Sequence, residues 1–302
     1  MKILLSGASG LIGRELSRDL SRQGHEVIAL QRNSPAAPPY WNIKDKIIDL
    51  GPQQKIDAVI HLAGENIAAG RWSKKRKAAI RNSRIIGTAL FAEYVAKLEE
   101  KPKVFVSCSA VGFYGHRPNE TLNEQSSQGS GFLAEVCKDW ETATAAAGQA
   151  GIRVVNIRLG MVLSSSGGAL KKMLTPFKLG LGGIVGHGQQ VVSWIAIDDV
   201  VGAISHILGN DQLRGPVNLA SPHPVTNCTL TKTLGHILNR PTILPLPAFL
   251  AKILLGEMAE ELLFSSTEAS PEKLQSTGYK FRYTALEETL VAYLQSRIQG
   301  KS

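Results

Sequence analysis

Cysteine is scarce in this chain. Cys108, Cys137 and Cys228 are widely separated and form no Cys-x-x-Cys pair, which argues against a disulfide framework and the usual zinc spacings. Seven scattered histidines add no metal-ligand pattern, so no metal site is expected. Long apolar runs are also missing: none reaches the roughly 18 residues of a membrane span. The first strand-like segment, Lys2–Ser6, is too short and wrongly flanked for a signal peptide. The expectation is a cytoplasmic protein without a membrane partner. Aromatics are few, at 6%. Trp72 alone accompanies the basic stretch RWSKKRKAAIRNSR from Arg71 to Arg84, where a nucleic-acid surface would interleave aromatics with its charges. The formal net charge of +9 leaves an anionic partner open. Lys74, Lys75, Arg76 and Lys77 read as a solvated helix face, and no nucleic-acid partner is expected.

What is present is ordinary globular material. The 302 residues are 43% hydrophobic and 20% charged, enough to bury a core. Up to about residue 160, short β-branched runs alternate with longer helical stretches, the pattern of βαβ units on a parallel sheet. Strands are expected at 2–6, 26–30, 46–49, 57–62, 103–108 and 152–157, with crossover helices over 73–99 and 131–149. Residues 34–39, SPAAPP, read as a stiff surface loop. Past Arg158, glycines crowd the chain from Gly160 to Gly188, as in loops that approach a ligand or another backbone closely. The helical runs AFLAKILLG, AEELLFSS and LEETLVAYLQSRI close the chain. The expected fold is α/β: a Rossmann-type doubly wound parallel sheet over 1–160, to which later elements at about 190–220 return. A smaller substrate-side lobe and helical tail fill 161–302.

The strongest motif is KILLSGASGLIGRELSRDL, a strand followed at once by Gly7-x-x-Gly10-x-x-Gly13 and an amphipathic helix. Glycines allow the tight turn and the close approach to a pyrophosphate, and the helix N-terminus offers free N–H groups. At the end of the second strand an NAD site would place a carboxylate for the ribose hydroxyls. Here stand Gln31 and Arg32, and an arginine suits a 2′-phosphate. The expected cofactor is therefore NADP(H).

These features, with Asp57–Gly64 (DAVIHLAG), Gly87-Thr88, Ser107-Cys108-Ser109 ahead of Tyr114-Gly115, and Trp194 to Asp199 (WIAIDD), resemble the extended short-chain dehydrogenase/reductases. HLAGENI (61–67), RWSKKRK (71–77), FLAEVCKDWE (132–141) and PFKLGLGG (176–183) are similar to the atypical "epimerase family protein" subgroup over nearly the full length. The resemblance implies an NADP(H)-binding oxidoreductase or epimerase acting on an unidentified small carbonyl, hydroxyl or sugar-like substrate, as a monomer or homodimer. It leaves open a non-catalytic regulatory protein, since relatives are linked to cell or plastid division. Cofactor contacts are expected at Gly7, Ser9, Gly10, Leu11, Ile12, Gly13, Gln31, Arg32, Leu62, Ala63, Gly64, Glu65, Arg84 and Ser107.

The family's catalytic pattern is broken. A serine, a tyrosine and a lysine four residues later are the rule, because that spacing sets tyrosine and lysine on one helical face. Aligning on Trp140-Glu141 places Leu133 at the tyrosine and Cys137 at the lysine, and Arg84 replaces the usual asparagine before Gly87-Thr88. Arg84 carries a permanent charge for cofactor phosphate, ribose or a substrate carbonyl, or it forms an ion pair on the helix face. Ser109 keeps the serine position, Tyr114 is a candidate substitute proton donor, and Glu65 is a candidate acid, base or ribose partner. The glycine-rich segment and Trp194 are expected to line the substrate pocket.

Overall fold

In the first strand, β1 (Lys2–Ser6), Ile3 and Leu5 face one way and Leu4 the other, and all three are fully buried. A strand buried on both sides belongs at the centre of a parallel sheet with helices on both faces. The computed structural model describes residues 1–32, 38–51 and 55–299, so residues 34–37 of the expected stiff loop lie outside the described residues.

After β1 come α1 (Leu11–Arg22), β2 (Glu26–Arg32), β3 (Tyr40–Asn42), β4 (Ile47–Asp49), β5 (Ala58–His61), α2 (Lys74–Ala96) and β6 (Val104–Ala110). A 3-10 turn over Val111–Tyr114 leads to β7 (Thr121–Leu122), α3 (Phe132–Thr142), α4 (Ala145–Gln149), β8 (Arg153–Leu159) and β9 (Met161–Leu163). Then follow α5 (Gly168–Lys178), β10 (Val191–Val192), β11 (Trp194–Ala196), α6 (Ile197–Gly209), β12 (Gly215–Leu219), β13 (Val225–Thr226) and α7 (Asn227–Ile237). The C-terminal part holds α8 (Ala248–Leu255), α9 (Glu257–Ala259), a π turn over Glu260–Phe264, β14 (Glu268–Ala269), α10 (Glu272–Ser276) and α11 (Leu286–Gln299).

The main sheet runs β12-β8-β6-β5-β1-β2-β3-β4, parallel except for β4. The strand order reverses between β1 and β5, and open α/β sheets bind ligands outside the carboxyl ends of strands at such a point. On one face Ile3, Leu5, Leu16, Ile204 and Ile207 join β1, α1 and α6 in a core. On the other, Leu4, Val59, Phe91, Val95 and Phe105 pack under α2. A third cluster ties α5, α7 and α11 through Leu174, Phe177, Leu234 and Leu290.

Two departures have local causes. The helix expected over 131–149 breaks into α3 and α4, where Thr144 Oγ1 donates to the Glu141 carbonyl at 2.6 Å in competition with the helical ladder. The strand expected at 46–49 is an antiparallel edge on β3, a three-residue strand too short to show a period. Among the described residues no helix is long and apolar enough to cross a membrane.

Candidate cofactor cleft and active site

Gly7 has φ +75°, and a Cβ there would stand 2.9 Å from Ala63 N and Leu62 C, backbone atoms just beyond β5. Gly13 is tighter, since its Cβ would meet Gly7 O at 2.2 Å and Ala8 Cα at 2.7 Å. These two glycines are required by the protein's own backbone. Gly10 differs: its Cβ would touch only Gly7 O at 3.1 Å, and it heads α1 with no side-chain cap. Ser9 and Gly10 are exposed, and Leu11 and Ile12 form the half-buried first turn behind them. The turn thus opens a helix N-terminus at the sheet's switch point, which fits a dinucleotide's phosphates.

Beside it, Gln31 and Arg32 lie exposed at the end of β2. Leu62 and Ala63 wall the turn, and Gly64 and Glu65 continue from β5. Glu65 is the hub. Its carboxylate pairs with Arg76 Nη1 at 3.0 Å and Arg32 Nη1 at 3.9 Å, and its N–H donates to Ser83 Oγ at 3.1 Å. Arg84 reaches the same loop from α2, donating from Nη1 to the carbonyls of Glu65 (3.0 Å) and Ile80 (3.1 Å). Its guanidinium lies 3.5 Å from where a Gly64 Cβ would be and 5.0 Å over the Trp140 ring. Burial holds the Arg84 pKa below its usual range, while Cys108, Cys137 and Glu65 are near enough to act against that shift. An arginine therefore lies near Cys137, the position of the missing lysine.

Below this loop, His61 is fully buried between Trp41 and Phe91, with Nδ1 2.6 Å from Ser6 Oγ and Nε2 unpartnered. Burial pushes its pKa down to about 3, so the ring is neutral. Ser107 pairs with His61 across β5 and β6 and is itself fully buried. The expected cofactor contact at Ser107 is corrected here, because it presents no exposed atom.

At the end of β6, Ser109 donates from Oγ to Glu141 Oε1 at 2.7 Å. Glu141 accepts two further bonds from Arg158, Nε at 2.8 Å and Nη2 at 2.9 Å, a buried bidentate pair. Arg158 stacks 3.5 Å over the Phe113 ring and donates from Nη1 to Tyr114 OH at 3.0 Å. The Tyr114 hydroxyl also lies 2.8 Å from Asn218 Oδ1 and 2.9 Å from the Asn123 carbonyl, and the residue is fully buried. Tyr114 is thus no substitute proton donor: the 3-10 turn points it inward, into a network that holds β6, β8 and β12. Leu133 and Cys137 pack against the 3-10 turn that follows β6, since a Cβ on Gly112 would lie 3.4 Å from Leu133 Cβ and 3.9 Å from Cys137 Sγ. Burial raises the Cys137 and Cys108 thiols to about 12, which keeps both protonated.

A cavity of about 650 Å³ opens at the first turn of α3, lined by His116, Gly131, His187, Lys252, Glu260 and Glu261 among others. Glu261 caps α3, its carboxylate accepting from the N–H groups of Phe132 (2.9 Å) and Leu133 (3.3 Å). Trp194 is not at this cavity. It is fully buried in the α5, α7 and α11 core, and its indole N–H donates to the His223 carbonyl at 2.9 Å. Most glycines of the 160–188 segment answer to packing: a Cβ on Gly183 would lie 1.6 Å from Leu244 O, and one on Gly182 2.5 Å from the Phe177 ring. Gly186 does line the cavity. The solvated helix face expected over Lys74–Lys77 holds for Lys74 and Lys75, while Arg76 and Lys77 are half-buried in pairs with Glu65 and Glu257; Glu261 and the Glu141–Arg158 pair are not among the site residues expected from the sequence. Glu141 carried one usable signal, its place four residues after Cys137 on the same helical face.

Residues 3–220 match the family model described as NAD dependent epimerase/dehydratase family. The chain belongs to that family. Residues 246–292 match a domain of unknown function, DUF1731. The epimerase family protein MT2273 of Mycobacterium tuberculosis is 40% identical over 290 residues, covering 95% of this chain and 96% of that protein. The human epimerase family protein SDR39U1 is 32% identical over 293 residues, covering 96% and 98%. The crystal structure of human SDR39U1 (isoform 2) with NADPH superposes with a TM-score of 0.89 at 31% identity, covering 98% of this chain and 99% of that one. The epimerase/dehydratase fold extends to the UDP-glucose 4-epimerase of Thermotoga maritima, at a TM-score of 0.78 and 19% identity.

Proposed function

We propose that this epimerase/dehydratase-family protein binds NADP(H) at the β1–β5 switch point and acts in the cytoplasm as an oxidoreductase or epimerase. Its substrate is a small carbonyl, hydroxyl or sugar-like compound. The observation that carries the cofactor choice is Arg32, exposed at the C-terminal end of β2, where the last two residues of the strand are Gln31 and Arg32 and neither is a carboxylate for ribose hydroxyls. The structural likeness to an NADPH-bound human relative supports it. Gly10, on the turn that Gly7 and Gly13 shape, lets the head of α1 meet the pyrophosphate, Arg32 meets the 2′-phosphate once Glu65 yields it, and Arg84 supplies fixed charge beside Cys137. Bound nicotinamide supplies or accepts a hydride. The chain's part is to position and polarise: Ser109, at the end of β6, takes the substrate oxygen once its hydroxyl turns from Glu141.

Titration of the chain with NADPH and NADH tests the cofactor choice. NADPH binds more tightly, and Arg32→Ala weakens NADPH by about 10- to 100-fold, the value of a charged hydrogen bond, with little effect on NADH. Equal affinity for both cofactors overturns the assignment. One observation favours a second reading, a non-catalytic NADP(H)-dependent regulator: the Ser109 hydroxyl is already committed to Glu141 and the residue is only 1% exposed. A screen of carbonyl substrates at 340 nm decides between the two, since tight NADPH binding without oxidation leaves the regulator.

A further inference from the structure

The C-terminal lobe leaves large apolar side chains uncovered. Ile243 is 82% exposed, Phe249 66%, Ile253 63%, Leu181 62% and Leu254 60%. They form one face. Leu246 N–H donates to the Ile184 carbonyl at 2.8 Å, and Gly186 N–H to Leu246 at 3.1 Å, which lays the Leu181 loop along the Ile243–Leu244 loop and into α8. On α8, Ala251 is fully buried and anchors the inner side, while Phe249 and Ile253, one turn apart, point out. Isolated surface leucines need no explanation, but a contiguous set of this size marks an interaction surface.

Cations border it. No Asp or Glu occurs from 142 to 197 or from 212 to 256, and of the nine lysines and arginines in those segments Arg153, Arg158 and Lys252 are taken up in ion pairs with Asp211, Glu141 and Glu260. Lys178 and Arg240 flank the apolar tips and are held together, Arg240 Nε donating to the Lys178 carbonyl at 2.9 Å. The carboxylates that follow α8 are already paired, Glu257 with Lys77 at 2.7 Å and Glu260 with Lys252 at 2.8 Å. A two-fold dimer through this face doubles the cations in one seam while the carboxylates beside α8 are already paired, which argues against a second copy as the occupant.

We infer that this face docks the protein on the surface of an anionic lipid bilayer. Phe249, Ile253 and the neighbouring aliphatic tips enter the headgroup boundary, and Lys178 and Arg240 meet lipid phosphates. Among the described residues no helix is long and apolar enough to cross a membrane, and a protein that lies on one needs no such helix; at this surface the inference departs from the expectation of no membrane partner.

Flotation of the full-length chain with vesicles tests this, using phosphatidylcholine with phosphatidylglycerol against phosphatidylcholine alone. The chain floats with the anionic vesicles, less so as salt rises. A Phe249→Ser/Ile253→Ser variant partitions at least about tenfold more weakly, with its thermal midpoint and NADPH binding unchanged. Lys178→Ala/Arg240→Ala weakens binding several-fold and flattens the salt dependence. Three results overturn the inference: no flotation with either vesicle, variants that float like the parent, or a concentration-dependent dimer in light scattering that the Phe249/Ile253 variant abolishes.

Discussion

The two ends of the cleft differ in what constrains their residues. Around β1 and β2 the constraint is backbone approach: Gly7 and Gly13 have no room for a Cβ. Around β6 and α3 it is side-chain pairing: Ser109, Glu141, Arg158 and Tyr114 are held by one another, and the tyrosine and lysine positions carry Leu133 and Cys137. The first kind of constraint survives loss of a reaction because the fold depends on it. The second keeps its shape while its chemistry changes.

Breaking the pairing has the largest effect. Glu141→Ala leaves the Arg158 guanidinium buried and unpaired and costs about 3–5 kcal/mol of stability in urea unfolding. A loss under about 1 kcal/mol shows that the network is not what fixes β6. Restoring the family's lysine by Cys137→Lys sets a buried ammonium near Arg84 and costs about 3 kcal/mol, much of which Arg84→Asn recovers in a double-mutant cycle. Additive losses separate the two positions. The backbone end is sharpened by a pair of glycines: Gly13→Ala costs about 1–3 kcal/mol through overpacking, while Gly10→Ala stays within about 0.5 kcal/mol and lowers NADPH affinity.

The effect that is smallest at neutral pH, and that grows only on acidification, concerns His61. Its ring stays neutral in the folded chain down to about pH 3, while the unfolded chain takes up a proton near the ordinary value of 6.5. Stability from this residue is therefore full above pH 6.5 and falls by up to about 1.4 kcal/mol per pH unit on acidification toward 3. In His61→Gln that part of the slope disappears from unfolding curves measured across the pH series.

The difference between the ends also explains what could be read in the chain. The glycine turn, Arg32 and most sheet strands are local patterns, carried by period and by neighbours within a few residues. The fate of Tyr114 was not legible, because Asn218 and Arg158, its partners, lie 104 and 44 residues away. Trp194 looked like a pocket residue beside so many glycines, yet those glycines mostly serve close contacts such as Gly183 with Leu244. Glu261 is 129 residues from the N–H it caps, beyond any helix signature.

That cap bears on how such proteins can be recombined. A Cβ on Gly131 would lie 2.5 Å from Glu261 Oε1, so a larger residue there, already strained at φ +107°, pushes the glutamate off its cap. A chimaera that takes its C-terminal lobe from a relative keeps the start of α3 capped only if that lobe brings a carboxylate to position 261 and the N-terminal part keeps glycine at 131.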